Sequence, residues 1–218
     1  MSIKVFLADD HAVVRDGLKV LLEREGDIEV VGSAANGRDA LRQIQKLRPD
    51  VVLMDIAMPE LNGIAATAQI RETCPSARVI ILSMHKTTEH IFQALKAGAH
   101  GYLLKESAGQ EVVGAVRSVY AGRRYLSRLI EDTVIDDYVH SRKAVSAESP
   151  LEKLSSRERE ILQLVAEGKS SIEISRVLFI SPKTVETYRS RLMQKLGIKD
   201  LPSLVKLAIQ HGLTTLDT

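Results

Sequence analysis

The sequence has a single cysteine, Cys74, and lacks any apolar run long enough to cross a membrane. One cysteine excludes an intramolecular disulfide and a cluster of thiolate metal ligands. A membrane helix needs about 20 consecutive apolar residues, so no membrane association is expected. The first residues, Met-Ser-Ile-Lys, lack the layout of a signal peptide, and the cytoplasm is therefore the expected location.

Charge is nearly balanced over the chain but unevenly distributed. The formal net charge is +2, and residues 151–218 carry 11 Lys/Arg against 8 Asp/Glu. Residues 182–199 alone hold five basic residues and one acid. A short basic stretch indicates a polyanionic partner, although the solvated face of an ordinary helix has a similar charge. The charge pattern alone leaves both interpretations open.

Short aliphatic runs alternate with helical patterns through residues 1–125. Strands are predicted at residues 3–8, 28–33, 51–54, 78–83 and 101–104. Five strands that are each followed by a helix predict an α/β domain with a parallel sheet covered on both faces. One common solution is the flavodoxin-like strand order 2-1-3-4-5, whose ligand crevice lies outside the carboxyl ends of strands 1 and 3.

The pattern weakens at residues 126–150, which we interpret as a linker with a possible helix. Ile130, Val134, Ile135 and Tyr138 could line one helical stripe, and residues 141–150 are polar. Residues 151–218 are helical in pattern again. Ser155 with Glu158 and Ser170 with Glu173 fit capping boxes. Four short helices with tight turns predict an all-α helix-turn-helix domain.

Acidic side chains follow two strands of the predicted sheet. Asp9 and Asp10 follow strand 3–8, and Asp55 follows strand 51–54. If these strands are neighbours, three carboxylates meet and need a cation, for which their hard oxygen atoms favour Mg²⁺. An aspartate can also attack phosphorus and form an aspartyl-phosphate. Lys105 and Ser83, at the ends of two further strands, could then provide a positive charge and a hydroxyl.

A basic helix is predicted within residues 182–196. At 100° per residue, the apolar side chains of Val185, Leu192 and Leu196 fall on one side with Tyr188. Lys183, Thr187, Ser190 and Gln194 fall on the opposite side, flanked by Glu186 and Arg191. The second set is typical of a helix that lies in the major groove of DNA, but it also fits an ordinary solvated face.

These motifs together resemble a two-component response regulator of the NarL/FixJ type, with a receiver domain and a LuxR-type helix-turn-helix. The matching phrases are Ala-Asp-Asp-His at 8–11, Met-Asp-Ile-Ala-Met-Pro at 54–59, Gly-Tyr-Leu-Leu-Lys at 101–105, Leu-Ser-Ser-Arg-Glu-Arg-Glu-Ile-Leu at 154–162 and Ser-Pro-Lys-Thr-Val-Glu-Thr-Tyr-Arg at 181–189. The resemblance covers nearly the whole chain outside the linker.

The resemblance implies a transcription regulator that a sensor histidine kinase phosphorylates on Asp55. It implies Mg²⁺ held by Asp10, Asp55 and the backbone carbonyl of Ala57, with Asp9 acting through water. Ser83 and Lys105 would stabilise the phosphoryl group, and Tyr102 would be a switch residue. The implied contacts to double-stranded DNA are Lys183, Thr184, Glu186, Thr187, Tyr188, Ser190 and Arg191. Activation would produce a homodimer, with Leu204, Leu207 and Ala208 as candidate contacts unless they only close the helical core.

Two other functions remain to be weighed. A phosphatase with an aspartate nucleophile commonly has a second Asp two residues later, where this chain has Ala57. A DNA-binding protein could instead use its receiver for protein contacts without phosphorylation, which the full set of acids, Ser83 and Lys105 argues against. The protein is therefore expected to be no enzyme, beyond a slow self-dephosphorylation whose rate depends partly on His85.

Overall fold

The aliphatic runs of the first half form one parallel sheet in the computed structural model, which describes residues 2–131 and 150–214. The strands are β1 Ile3–Ala8, β2 Ile28–Ala34, β3 Val51–Asp55, β4 Arg78–Ser83, β5 Gly101–Leu104 and β6 Tyr125–Leu126. Their order is β2-β1-β3-β4-β5-β6, and each neighbouring pair is parallel. The predicted order of the first five strands is confirmed.

The sixth strand corrects the predicted five-stranded sheet. Tyr125 pairs with Gly101 of β5, and the backbone nitrogen of Ser127 donates to the carbonyl of Tyr102 at 2.9 Å. A strand of two residues is too short to show an alternating pattern in the sequence. Ile130 is also buried in the core of this domain. The start of the predicted linker thus packs on the receiver, and its remainder, residues 132–149, lies outside the described residues.

Helices cover both faces of the sheet. They are α1 Ala12–Glu23, α2 Gly37–Leu47, α3 Gly63–Thr73, α4 Thr88–Ala97 and α5 Ala108–Tyr120. Alternate residues of β3 enter separate cores, since Val52 and Met54 pack with α2, α3 and α4, whereas Val51 and Leu53 pack with α1 and α5. A strand that is apolar on both faces is therefore expected in the middle of such a sheet.

The second domain consists of a 3-10 helix at Pro150–Lys153 and four α-helices. These are α6 Ser156–Ala166, α7 Ser171–Leu178, α8 Pro182–Leu196 and α9 Leu201–Gln210. Both predicted capping boxes, at Ser155 and Ser170, are confirmed, and Ser181 caps α8 with Pro182 at its first position. None of the helices in residues 2–131 and 150–214 is long and apolar enough to cross a membrane.

Candidate phosphoacceptor and DNA-binding sites

Three carboxylates meet at the carboxyl edge of the sheet. Ala8 pairs with Met54, so Asp9 and Asp55 leave adjacent strands side by side. One ligand atom from each of Asp9, Asp10, His11 and Asp55 can be chosen so that all lie within 4.8 Å of one another. Asp9 and Asp55 are only 1% and 3% exposed. The structure therefore brings together the acids that the sequence placed at this edge, and it adds His11.

Lys105 pairs with the carboxylates of both buried acids. Its Nζ lies 2.8 Å from Oδ2 of Asp9 and 2.9 Å from Oδ2 of Asp55. Burial raises the pKa of Asp55 to about 6, because Lys105 only partly offsets burial and the charges of Asp9 and Asp10 add to it. Burial opposes the charged form of Lys105, but the two carboxylates outweigh it and raise the pKa of the ammonium. The site is thus short of positive charge.

The donor atoms fit a magnesium ion. Oδ2 of Asp9 and Oδ2 of Asp55 share the ammonium of Lys105, and Oδ1 of Asp10 lies 2.7 Å from Nδ1 of His11. Oxygen ligands of this kind suit Mg²⁺. The loop of residues 56–62 turns back beside them, and a Cβ on Gly63 would lie 1.9 Å from the carbonyl oxygen of Asp55. A glycine at the start of α3 is therefore required for this close approach.

Ser83 and Tyr102 both contact the backbone of His85. The Oγ of Ser83 accepts from the His85 nitrogen at 3.0 Å, and the Tyr102 hydroxyl donates to the His85 carbonyl at 2.9 Å. Tyr102 is fully buried, and burial raises the pKa of its hydroxyl to about 12. The hydroxyl is thus neutral at physiological pH. A rotation of Ser83 that moved its Oγ away from the His85 nitrogen would remove one of these two bonds.

The predicted DNA-facing side of α8 is largely open to solvent. Lys183, Glu186, Thr187, Ser190 and Arg191 are exposed. No residue of the described receiver covers these side chains enough to bury them. Val185 and Leu192 face the core as predicted.

Two of the predicted DNA contacts, Tyr188 and Thr184, are less accessible to a partner than the others. Tyr188 is half-buried and packs against the core of the second domain. The backbone nitrogen of Thr184 donates to the Oγ of Ser181 at 3.1 Å, so Thr184 lies within the helix cap.

Beside this face lie two polar residues, Ser171 and Arg189, that were not predicted as part of the site. The Oγ of Ser171 donates to Glu186 and accepts from Nη1 of Arg189 at 3.2 Å. These two hydrogen bonds connect α7 to α8. Sequence spacing gives no sign of this pairing, because the two helices approach only in the folded domain.

Of the two roles left open for the apolar residues of α9, the structure supports closure of the helical core. Leu204 and Ala208 are almost fully buried in the core of the second domain, and Leu207 packs against that core. They close the helical domain, because they lie on the face of α9 that meets α6. The opposite face carries Leu201, Pro202, Val205 and Ile209, which line a shallow apolar hollow.

Comparisons with known proteins match both domains. Residues 5–117 match the family described as the response regulator receiver domain, and residues 152–208 match bacterial regulatory proteins of the luxR family. The chain is 39% identical over 213 residues to the oxygen regulatory protein NreC of Staphylococcus carnosus, covering 96% of this chain and 98% of NreC.

Solved structures give the same result. A LuxR-family two-component response regulator from Aurantimonas sp. matches with a TM-score of 0.62 and 36% identity, over 64% of this chain and 100% of that chain. The RcsB response regulator of Salmonella typhimurium, described in terms of DNA interaction, matches with a TM-score of 0.60 and 25% identity. It covers 94% of this chain and 97% of RcsB.

Proposed function

The chain belongs to the two-component response regulators with a LuxR-type DNA-binding domain, which are phosphorylation-dependent transcription regulators, and we propose that Asp55 is its phosphoacceptor. The family is one of DNA-binding regulators rather than enzymes. The observation that carries the proposal is that the buried carboxylate of Asp55 lies beside the Nζ of Lys105 and two further acids. The proposed donor is the phosphohistidine of a sensor histidine kinase.

Phosphoryl transfer would use the carboxylate of Asp55 as nucleophile. An Oδ atom of Asp55 forms a bond to phosphorus, the phosphorus–nitrogen bond of the phosphohistidine breaks, and the imidazole leaves with the electron pair. Mg²⁺ held by Asp10, Asp55 and the Ala57 carbonyl, with Asp9 through water, would offset the charge of the phosphoryl group. Lys105, 2.9 Å from Asp55, supplies a fixed charge for the same purpose.

The shape change would begin at Ser83. Its hydroxyl can donate to a phosphoryl oxygen on Asp55, and it would then give up its bond from the nitrogen of His85. Tyr102 would follow, since its hydroxyl binds the carbonyl of the same residue. Phosphorylation thereby favours a second arrangement of the loop before α4.

The output proposed is binding of double-stranded DNA by a homodimer. The exposed side of α8 would contact bases near Glu186, Thr187 and Ser190, and phosphates through Lys183 and Arg191. Thr184 and Tyr188 remain proposed phosphate contacts, with less of each side chain available. RcsB, described in terms of DNA interaction, supports this assignment through its similar fold.

Slow self-dephosphorylation is proposed to depend on His85. Ala57 has no polar side chain to position water, whereas His85 is exposed beside Ser83. Replacing His85 with alanine should change the decay rate of phosphorylated protein, measured after removal of the phosphate donor. An unchanged decay rate would exclude this role.

The deciding experiment selects and sequences DNA bound by protein activated with beryllofluoride, a stable analogue of a phosphoryl group. Asp55→Asn is the control, and we expect it to show no activation. One observation favours the alternative of phosphorylation-independent binding, because the DNA-facing side of α8 is already exposed in this arrangement. Equal DNA affinity with and without beryllofluoride would support that alternative and overturn the proposed switch.

A further inference from the structure

The loop that follows the phosphoacceptor strand is held by a glutamine of the DNA-binding domain. Gln163 of α6 is fully buried. Its Oε1 accepts from the backbone nitrogen of Asn62 at 2.8 Å and from Nδ2 of Asn62 at 3.2 Å. Its Nε2 donates to the carbonyl of Met58 at 2.9 Å. One side chain therefore binds both ends of the loop segment 58–62.

A second residue, Glu167 at the C-cap of α6, completes the contact. Glu167 accepts from the backbone nitrogen of Glu60 at 3.0 Å and from Nε2 of Gln163 at 2.8 Å. Glu60 has a φ of 65°, which is uncommon for a residue with a side chain. A buried amide is costly unless its donors and acceptors are paired, and here nearly all of them are paired across the domain boundary.

The two domains also meet around a cavity, so the rest of this docking surface between them is loosely packed. A cavity of about 300 Å³ lies among α3, α4, α6 and the end of α9. Beyond the Gln163 contact, Arg38 and Gln69 bind Glu160 at 3.0 and 3.1 Å. His211 binds Glu89 at 3.0 Å on the far side of the cavity. A few polar contacts thus hold the domains together, and the most buried of them lies on the phosphoacceptor loop.

We infer that Gln163 is a positioning residue that links the state of Asp55 to the docking of the DNA-binding domain. It fixes residues 58–62, and these follow directly on Ala57, whose carbonyl is a proposed ligand of Mg²⁺. The inference rests on the proposed role of Asp55. It adds that a residue over 100 positions away in the sequence sets how easily the loop accepts the phosphoryl group.

The direction of the linkage follows from the contact between the start of α4 and the DNA-binding domain. Phosphorylation would free the loop at His85, which leads directly into α4. The start of α4 carries Glu89 and His90, and these contact His211 and Gly212 of the DNA-binding domain. A phosphoryl group therefore loosens docking, and by reciprocity docking opposes the phosphorylated state.

The test measures beryllofluoride binding to the full chain in the presence of Mg²⁺. We expect Gln163→Ala to raise the affinity by about fivefold or more, a usual size for coupling between two sites. Gln110→Ala is the matched control, because Gln110 is an exposed glutamine on α5, and it should leave the affinity unchanged. Small-angle X-ray scattering without Mg²⁺ should show a larger radius of gyration for Gln163→Ala and no change for Gln110→Ala.

A second variant separates docking from damage to the loop. A Cβ on Gly212 would lie 2.5 Å from Nε2 of His90, so Gly212→Ala should loosen docking without touching residues 56–62. It should also raise the affinity for beryllofluoride. If both variants expand the protein but neither changes the affinity, the inference is wrong while Asp55 can still be the acceptor. If Asp55→Asn binds beryllofluoride as well as the unsubstituted chain, the proposed function itself fails.

Discussion

The two candidate sites treat charge in opposite ways. At the carboxyl edge of the sheet, Asp9 and Asp55 are buried against Lys105 with more negative than positive charge. On α8 the charged side chains of Lys183 and Arg191 are exposed to solvent. Charge in a buried site affects both folding and chemistry, whereas exposed charge affects binding alone. Substitutions should therefore change stability at the first site and only DNA affinity at the second.

The largest effect is expected from Asp55→Asn. Phosphorylation by a small phosphate donor should be lost completely, measured by mass spectrometry of the intact protein. At neutral pH without divalent ions, the same change should stabilise the fold by roughly 1–3 kcal/mol, because one pKa unit corresponds to about 1.4 kcal/mol. The raised pKa of Asp55 means that its charged form costs stability above about pH 6.

The gain from Asp55→Asn should shrink as the pH falls from about 6 toward the ordinary carboxyl pKa of 3.8, because the native carboxyl is then protonated. Urea unfolding at several pH values would measure it. A loss of stability at neutral pH would contradict the picture of an acid cluster that is short of positive charge.

The next largest effect is expected from Lys105→Ala. Removal of the ammonium leaves Asp9 and Asp55 buried without their cation, which costs about 3 kcal/mol in comparable buried pairs. Urea unfolding without divalent ions measures the loss. Lys86→Ala is the matched control, because Lys86 pairs with Glu106 on the exposed surface and should cost less than about 1 kcal/mol. Equal losses for the two variants would show that burial does not set the cost.

The same contrast explains how much could be predicted from the sequence. Asp55 and Lys105 were predictable, since a charged residue at the end of an apolar strand marks the ligand edge of a parallel sheet. Gln163 was not, because it stands between Leu162 and Leu164 in a helix and its partners in the first domain, Asn62 and Met58, are 101 and 105 positions away in the sequence. The role of Leu204 stayed open for a related reason, because an apolar stripe does not tell whether it meets the core of its own domain or a partner.

A smaller effect is expected from Arg191→Ala at the exposed site. DNA affinity should fall by a similar factor for every sequence, and the slope of log affinity against log salt should decrease by about 1, because one phosphate contact is lost. The free energy of unfolding should stay unchanged. Lys46→Ala, in the last turn of α2 in the other domain, is a control of equal charge. An unchanged salt slope for Arg191→Ala would remove this residue from the phosphate contacts.

The smallest effect is expected at a third kind of site, where a titratable group of one domain lies against the other domain. His90 lies against Gly212 of the DNA-binding domain, its Nδ1 is 2.6 Å from Oγ1 of Thr87, and its ring stacks on His85. Burial lowers the pKa of His90 below 6.5, the nearby His85 and His211 lower it further, and Glu89 opposes them. Docking therefore favours the neutral imidazole.

Docking should be strongest above pH 6.5 and should weaken as the pH falls below it. For one proton, the equilibrium constant for docking should fall by at most about tenfold per pH unit. Small-angle scattering between pH 8 and 5.5 would follow the release. His90→Gln should flatten the dependence. Release on raising the pH would contradict the assignment to His90, because a buried imidazole with a lowered pKa favours docking when it loses its proton.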